Sequence, residues 1–92
     1  MNELHLKAIT AYVEMLTIHI DTKTMDTTFH EQTEQFYETL FEVAHKIGEK
    51  HIDLGGKLKN TSLGEKQKQA HDIIVNLKKE IESYNKNNEV SL

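Results

Sequence analysis

Apolar residues recur at intervals of three and four positions in three stretches of this chain, which is the spacing of one face of an α-helix. The three series are Leu6, Ile9, Val13, Leu16 and Ile20; then Phe29, Phe36, Leu40, Val43, Ile47 and Leu54; then Ala70, Ile73, Leu77, Ile81 and Tyr84. This pattern predicts three helices over about residues 3–20, 28–54 and 63–84, followed by a tail at 85–92. All three belong to one predicted helical domain, residues 1–92.

Residues with known preferences for helix ends mark the predicted boundaries. Thr28 followed by Glu31, and Ser62 followed by Glu65, match the capping box that opens a helix. The sequence Leu54-Gly55-Gly56 predicts a helix end, because glycine tolerates the left-handed conformation that often follows the last turn.

The short predicted loops favour antiparallel neighbours, so the expected fold is an all-α bundle of three long antiparallel helices. Three helices of this length give a thin core for a chain of 92 residues. We therefore expect a second copy to complete the bundle, which predicts a homo-oligomer, at least a dimer.

Composition excludes several classes of protein. The net charge is −4 and the charges are mixed in sign, which argues against nucleic-acid binding. The absence of cysteine excludes disulfides and thiolate metal sites. The N-terminal residues lack a signal-peptide pattern, and no apolar run is long enough to span a bilayer. The expected protein is cytoplasmic and does not enter the membrane.

Six histidines are an unusual number for this length, and three of them lie on the second predicted helix. On a helix that turns about 100° per residue, one flank carries four potential metal ligands, with Glu38 inside their arc and Glu42 just beyond it. The four are His30, Glu34, His45 and Glu49. Glu42 and His45 also form a Glu-x-x-His pair of the kind that binds metals inside helical bundles. Imidazole with carboxylate suits iron, zinc or manganese. The alternative is a solvated flank with ordinary hydrogen-bonded histidines.

The order of these residues resembles that of the ferritin-like proteins, specifically the Dps-type mini-ferritins that protect DNA during starvation. His19 stands near the end of the first helix, His30 follows early in the second with Glu34 four residues later, and His45-x-x-x-Glu49 precedes Leu54-Gly55-Gly56. The similarity covers roughly residues 8–90. The chain departs from the family at Ile20 and Asp21, where the family has Trp and Asn, and at His45, where it has Asp.

The resemblance implies a ferritin-like metal site, with iron as the first candidate and Fe(II) oxidation as a possible activity. Its ligands would be shared across a two-fold axis: His19 and His30 from one subunit, and Glu34, His45 and Glu49 from the other, with Glu42 as a more distant member. The alternative function is a small acidic helical interaction or inhibitor module, of the kind encoded by phages and mobile elements, without catalysis. Its exposed carboxylates would then recognise a basic partner.

Overall fold

The computed structural model of this chain describes residues 2–85 and contains three α-helices: α1 (Asn2–Asp21), α2 (Thr27–Asp53) and α3 (Leu63–Tyr84). No strand occurs in residues 2–85, so the prediction of an all-α protein with three helices is confirmed. The predicted tail lies outside the described residues except for Asn85.

The chain divides into two compact units, Met1–Leu58 with α1 and α2, and Lys59–Leu92 with α3. The assignment of residues 1–92 to one domain stays a prediction.

The start of α2 differs from the predicted one. The N-cap is Asp26, whose carboxylate accepts a hydrogen bond from the backbone N–H of Phe29 at 2.8 Å. Thr28 therefore lies inside the first turn, and the predicted capping box with Glu31 is wrong. The physical reason is that the short Asp side chain is among the best N-cap acceptors, and it comes two residues earlier in the chain.

The predicted end of α2 is confirmed within one residue. Gly55 has φ of 89°, the left-handed conformation that glycine adopts without a steric cost. Gly56 N–H donates to the His51 carbonyl and Gly55 N–H to the Ile52 carbonyl, each at 2.9 Å, which is the Schellman pattern.

The predicted capping box of α3 is also present. The Ser62 hydroxyl accepts from the Glu65 backbone N–H at 3.1 Å, and the Ser62 N–H donates to the Glu65 carboxylate at 2.9 Å. No residue of α3 is buried, and the large side chains of its predicted apolar series, such as Ile73 and Leu77, are exposed.

Helices α1 and α2 form an antiparallel hairpin, since the beginning of α1 lies against the end of α2. The buried positions between them carry small side chains. Within the described residues the buried hydrophobic side chains are Ala8 and Ala44, and the buried positions of α2 also include Thr33 and Gly48. The hairpin is thus closely spaced but buries little apolar surface.

The large apolar residues of the predicted series are mostly exposed in the single chain. Leu6, Val13 and Ile20 of α1 are 51–61% exposed, and Phe36 of α2 is 48% exposed. The residues that face the other helix lie about one position away in sequence. One position turns a side chain by about 100°, so the apolar series points away from the hairpin contact.

None of the helices within residues 2–85 is both long enough and apolar enough to cross a membrane.

Candidate functional site

The two helices of the hairpin meet along residues spaced seven apart. On α1 these are His5, Tyr12 and His19, and they lie opposite Ala44, Tyr37 and His30 of α2 in that order. We call these six residues the contact line. Because seven residues make nearly two helical turns, each pair repeats the same approach one layer further along the hairpin.

The end of the contact line nearest the interhelical turn is a stacked histidine pair. The rings of His19 and His30 are 3.9 Å apart between centroids, with 14° between their planes. His19 Nδ1 donates to the His30 carbonyl oxygen at 2.7 Å, and His30 Nδ1 donates to the His19 carbonyl oxygen. Thr33, which is fully buried, donates its hydroxyl to the His30 carbonyl at 2.8 Å. The two histidines therefore join the helices by reciprocal hydrogen bonds.

These hydrogen bonds fix the chemistry of both rings. A carbonyl oxygen can only accept, so Nδ1 of His19 and of His30 must carry the hydrogen. In the neutral imidazole the lone pair is then on Nε2. Histidines that bind metals commonly donate the other ring nitrogen to a carbonyl in this way, which orients the ring.

The opposite end of the contact line is a histidine that fits over a glycine. His5 Nδ1 donates to the Ala44 carbonyl at 3.0 Å. A Cβ atom on Gly48 would lie 2.8 Å from Cε1 of this ring, so the ring occupies the space that any other residue would need. This close approach explains why a glycine stands inside α2, near its C-terminal end.

The other predicted ligands lie on the exposed side of α2. His45 Nε2 and Glu49 Oε1 are 3.4 Å apart, and both side chains are about two-thirds exposed. His5 lines the same small cavity as this pair, with a volume of about 230 Å³. Even so, no group of three or more histidine, aspartate or glutamate side chains within residues 2–85 is arranged to hold a metal ion. One chain therefore brings the predicted ligands together as two pairs, and Glu34 belongs to neither.

An aromatic cleft opens beside the middle of the contact line. It is lined by three aromatic rings and two carboxylates, has a volume of about 370 Å³, and consists of Tyr12, Tyr37, Phe41, Glu38 and Glu42. The ring of Tyr12 lies 6.2 Å from that of Tyr37 and 5.5 Å from that of Phe41, with planes inclined by 61° and 58°. This cleft was not predicted from the sequence. The signal was the repeat of an aromatic residue followed by glutamate at Tyr37-Glu38 and Phe41-Glu42, one helical turn apart.

The electrostatic environment of the cleft is negative. Loss of solvent around the hydroxyl raises the pKa of Tyr37 above its usual value of 10.0, and the carboxylates of Glu34 and Glu38 raise it further. Neither Glu38 nor Glu42 forms an ion pair with any residue in the described part of the chain. The carboxylates are thus available to a cation.

No protein-family model, curated protein or solved structure matches this chain. The part of the chain that the structure describes is all-helical and contains three helices. The ferritin-like resemblance stays a prediction.

Proposed function

We propose that this chain is a helical interaction protein that binds through the apolar face of its α1–α2 hairpin. The observation that supports the proposal is the exposure of large apolar side chains in the single chain. Large apolar side chains are exposed, while the buried positions of the hairpin are occupied by alanine, glycine and threonine. Contiguous exposed apolar residues on a small protein commonly mark an interaction surface.

The partner that we propose for this face is a second copy of the chain. An antiparallel hairpin has its apolar series running along its full length, so two hairpins can pack side by side into a four-helix bundle. Burial of the apolar series of α1 would require no ion pair across the interface, because its five residues are all aliphatic: Leu6, Ile9, Val13, Leu16 and Ile20. In a symmetric dimer each favourable contact would occur twice.

The test of self-association is a measurement of molar mass by light scattering over a range of concentrations. Val13→Lys places a charge in the exposed apolar series, and Thr10→Lys places the same charge at an exposed position whose hydroxyl bonds only to its own helix. We expect a dimer for the wild type and for Thr10→Lys. We expect at least about tenfold weaker association for Val13→Lys, the ratio given by 1.4 kcal/mol. A monomeric wild type at micromolar concentration would contradict the proposal.

A second candidate function is metal binding across such a dimer. Its support is the His19–His30 pair, whose Nδ1–H bonds to carbonyls leave Nε2 as the ligand atom. The His45–Glu49 pair of the second copy, with Glu34, would supply the remaining ligands. A metal held by imidazole and carboxylate would be iron, zinc or manganese. Oxidation of Fe(II) would be a further property of that site.

The experiment for this candidate compares melting temperatures with and without Fe(II), Zn(II) or Mn(II). Binding to the folded state raises the melting temperature, and we expect the rise to disappear in His30→Ala and Glu49→Ala. His51→Ala is the control, because it also removes a hydrogen bond between a histidine ring and a backbone carbonyl but no predicted ligand. Anaerobic addition of Fe(II), followed by oxygen, would then show in the same samples whether Fe(III) forms faster than in buffer. Absence of any shift at saturating metal would eliminate this candidate.

A further inference from the structure

The aromatic cleft has the composition of a site for an organic cation. Aromatic faces attract cations through the negative charge above the ring, within about 6 Å of its centre. Tyr12, Tyr37 and Phe41 provide three rings with inclined planes around one volume, and Glu38 and Glu42 add two carboxylates one helical turn apart. A metal ion would have only the two carboxylates as strong ligands in this cleft. A flat, partly apolar cation can contact both the aromatic rings and the carboxylates.

The size of the cleft favours a single side chain over a large ligand. Pockets for small molecules usually measure about 300–1,000 Å³, and this cleft lies at the lower end with about 370 Å³. It is also open to solvent, so a side chain presented by another protein can reach it without a change in the hairpin.

We propose that the aromatic cleft binds an arginine side chain of a basic partner protein, with the guanidinium stacked against Tyr12, Tyr37 or Phe41 and hydrogen-bonded to Glu38 and Glu42. Arginine fits better than lysine, since the guanidinium is planar, is weakly hydrated and donates two parallel hydrogen bonds to a carboxylate. None of the 92 residues of this sequence can supply that side chain, because its eleven Lys and Arg positions are all lysines.

The charge distribution supports a basic partner. Residues 1–58 contain ten of the fifteen acidic residues and only five lysines. Five positive and ten negative charges give these residues a net charge of −5, compared with −4 for the whole chain. Such a surface attracts a basic protein from a distance and orients it before contact. This inference rests on one part of the proposed function, which is that the chain acts by binding proteins. Different variants test arginine binding in the cleft and self-association through the apolar series, so one proposal can be refuted while the other stands.

Binding can be measured with a hexa-arginine peptide as the probe. Two of the three tyrosines line the cleft and the chain has no tryptophan, so tyrosine fluorescence reports directly on the site. A hexa-lysine peptide tests the preference for guanidinium, and a hexa-citrulline peptide keeps the shape of the arginine side chain without its charge. We expect binding in the order hexa-arginine, then hexa-lysine, with none for hexa-citrulline.

Matched variants separate the cleft from the general charge of the protein. Glu38→Gln with Glu42→Gln should weaken hexa-arginine binding about tenfold, whereas Glu3→Gln with Glu14→Gln removes the same charge elsewhere and should change it less than about twofold. Circular dichroism of each variant establishes that the helices remain formed.

The aromatic wall is tested in the same way. Phe41→Leu should weaken binding about threefold, and Phe41→Tyr, which keeps an aromatic ring in the wall of the cleft, should change it less than about twofold. A measurement on the wild type alone is also decisive: a guanidinium in the cleft stabilises the tyrosinate, so hexa-arginine should lower the pKa of Tyr37. Equal affinity for hexa-lysine, equal effects of the matched variants, or an unchanged Tyr37 titration would each overturn the proposal.

Discussion

Replacement of Gly48 by alanine is the sharpest test of how the hairpin is held together. Inside a helix this change ordinarily stabilises a protein by about 0.5–1 kcal/mol, because glycine loses more backbone entropy on folding. Here the new Cβ would lie 2.8 Å from Cε1 and 2.9 Å from Nδ1 of His5, so the ring must move. When it moves, the bond from His5 Nδ1 to the Ala44 carbonyl is lost.

The magnitude follows from these two opposing effects. A hydrogen bond of this kind contributes about 0.5–1.5 kcal/mol to the free energy of unfolding, and the displaced ring loses packing contacts as well. The gain in helix propensity is therefore offset, and Gly48→Ala alone should be neutral or destabilising by up to about 1 kcal/mol. In a His5→Ala background the space is open, and the same change should stabilise by about 1 kcal/mol.

The assay is a double-mutant cycle by urea denaturation, followed by circular dichroism at one fixed protein concentration so that any self-association is constant. We expect a coupling free energy of about 1–2 kcal/mol between His5 and Gly48. If Gly48→Ala raised the stability equally with and without the His5 ring, the close approach would not constrain the hairpin, and the explanation of this glycine would be refuted.

Two further predictions concern the cap of α2 and the cleft. Asp26→Ala should cost about 1 kcal/mol in urea denaturation because it removes the N-cap acceptor, whereas Thr28→Ala should cost less than about half of that; the reverse order would restore the cap predicted from sequence. The pKa of Tyr37 is raised in the folded chain, so the hydroxyl stays protonated above pH 10 while the unfolded chain releases its proton, and stability should fall as the pH rises beyond that value. Spectroscopic titration should show one tyrosine that ionises late; Tyr37→Phe should abolish this component, and Glu38→Gln should move it to lower pH.

The histidines illustrate how one residue type can serve two purposes. Sequence spacing suggested metal ligands, and the hairpin instead uses Nδ1 of His5, His19 and His30 to bind backbone carbonyls across the helices. The two uses are compatible for His19 and His30, because the carbonyl bond occupies only one nitrogen of each ring. The Fe(II), Zn(II) and Mn(II) experiment above therefore tests an added function of a pair whose structural contribution is already evident.

Interactions between residues close in sequence determine the helices of this protein and most of their ends. The three helices follow from apolar spacing and from the absence of proline, and the ends at Ser62 and Gly55 follow from hydrogen bonds between near neighbours in sequence. These features depend on a few adjacent residues, so the sequence predicted them within one or two positions. The predicted N-cap of α2 was wrong because two residues that favour this position, Asp26 and Thr28, stand close together in the sequence.

Tertiary structure decided which face of each helix meets the other. Leu6 and Val13 belong to the apolar series that predicts α1, and yet in the single chain they are exposed, while His5 and Tyr12 lie on the contact line. The reason is that a glycine or alanine on one helix allows a ring of the other helix to approach the backbone at that position. The periodicity of hydrophobic residues does not predict such a contact. The aromatic cleft has the same origin, since its walls come from both helices and exist only where the hairpin brings Tyr12 beside Tyr37 and Phe41.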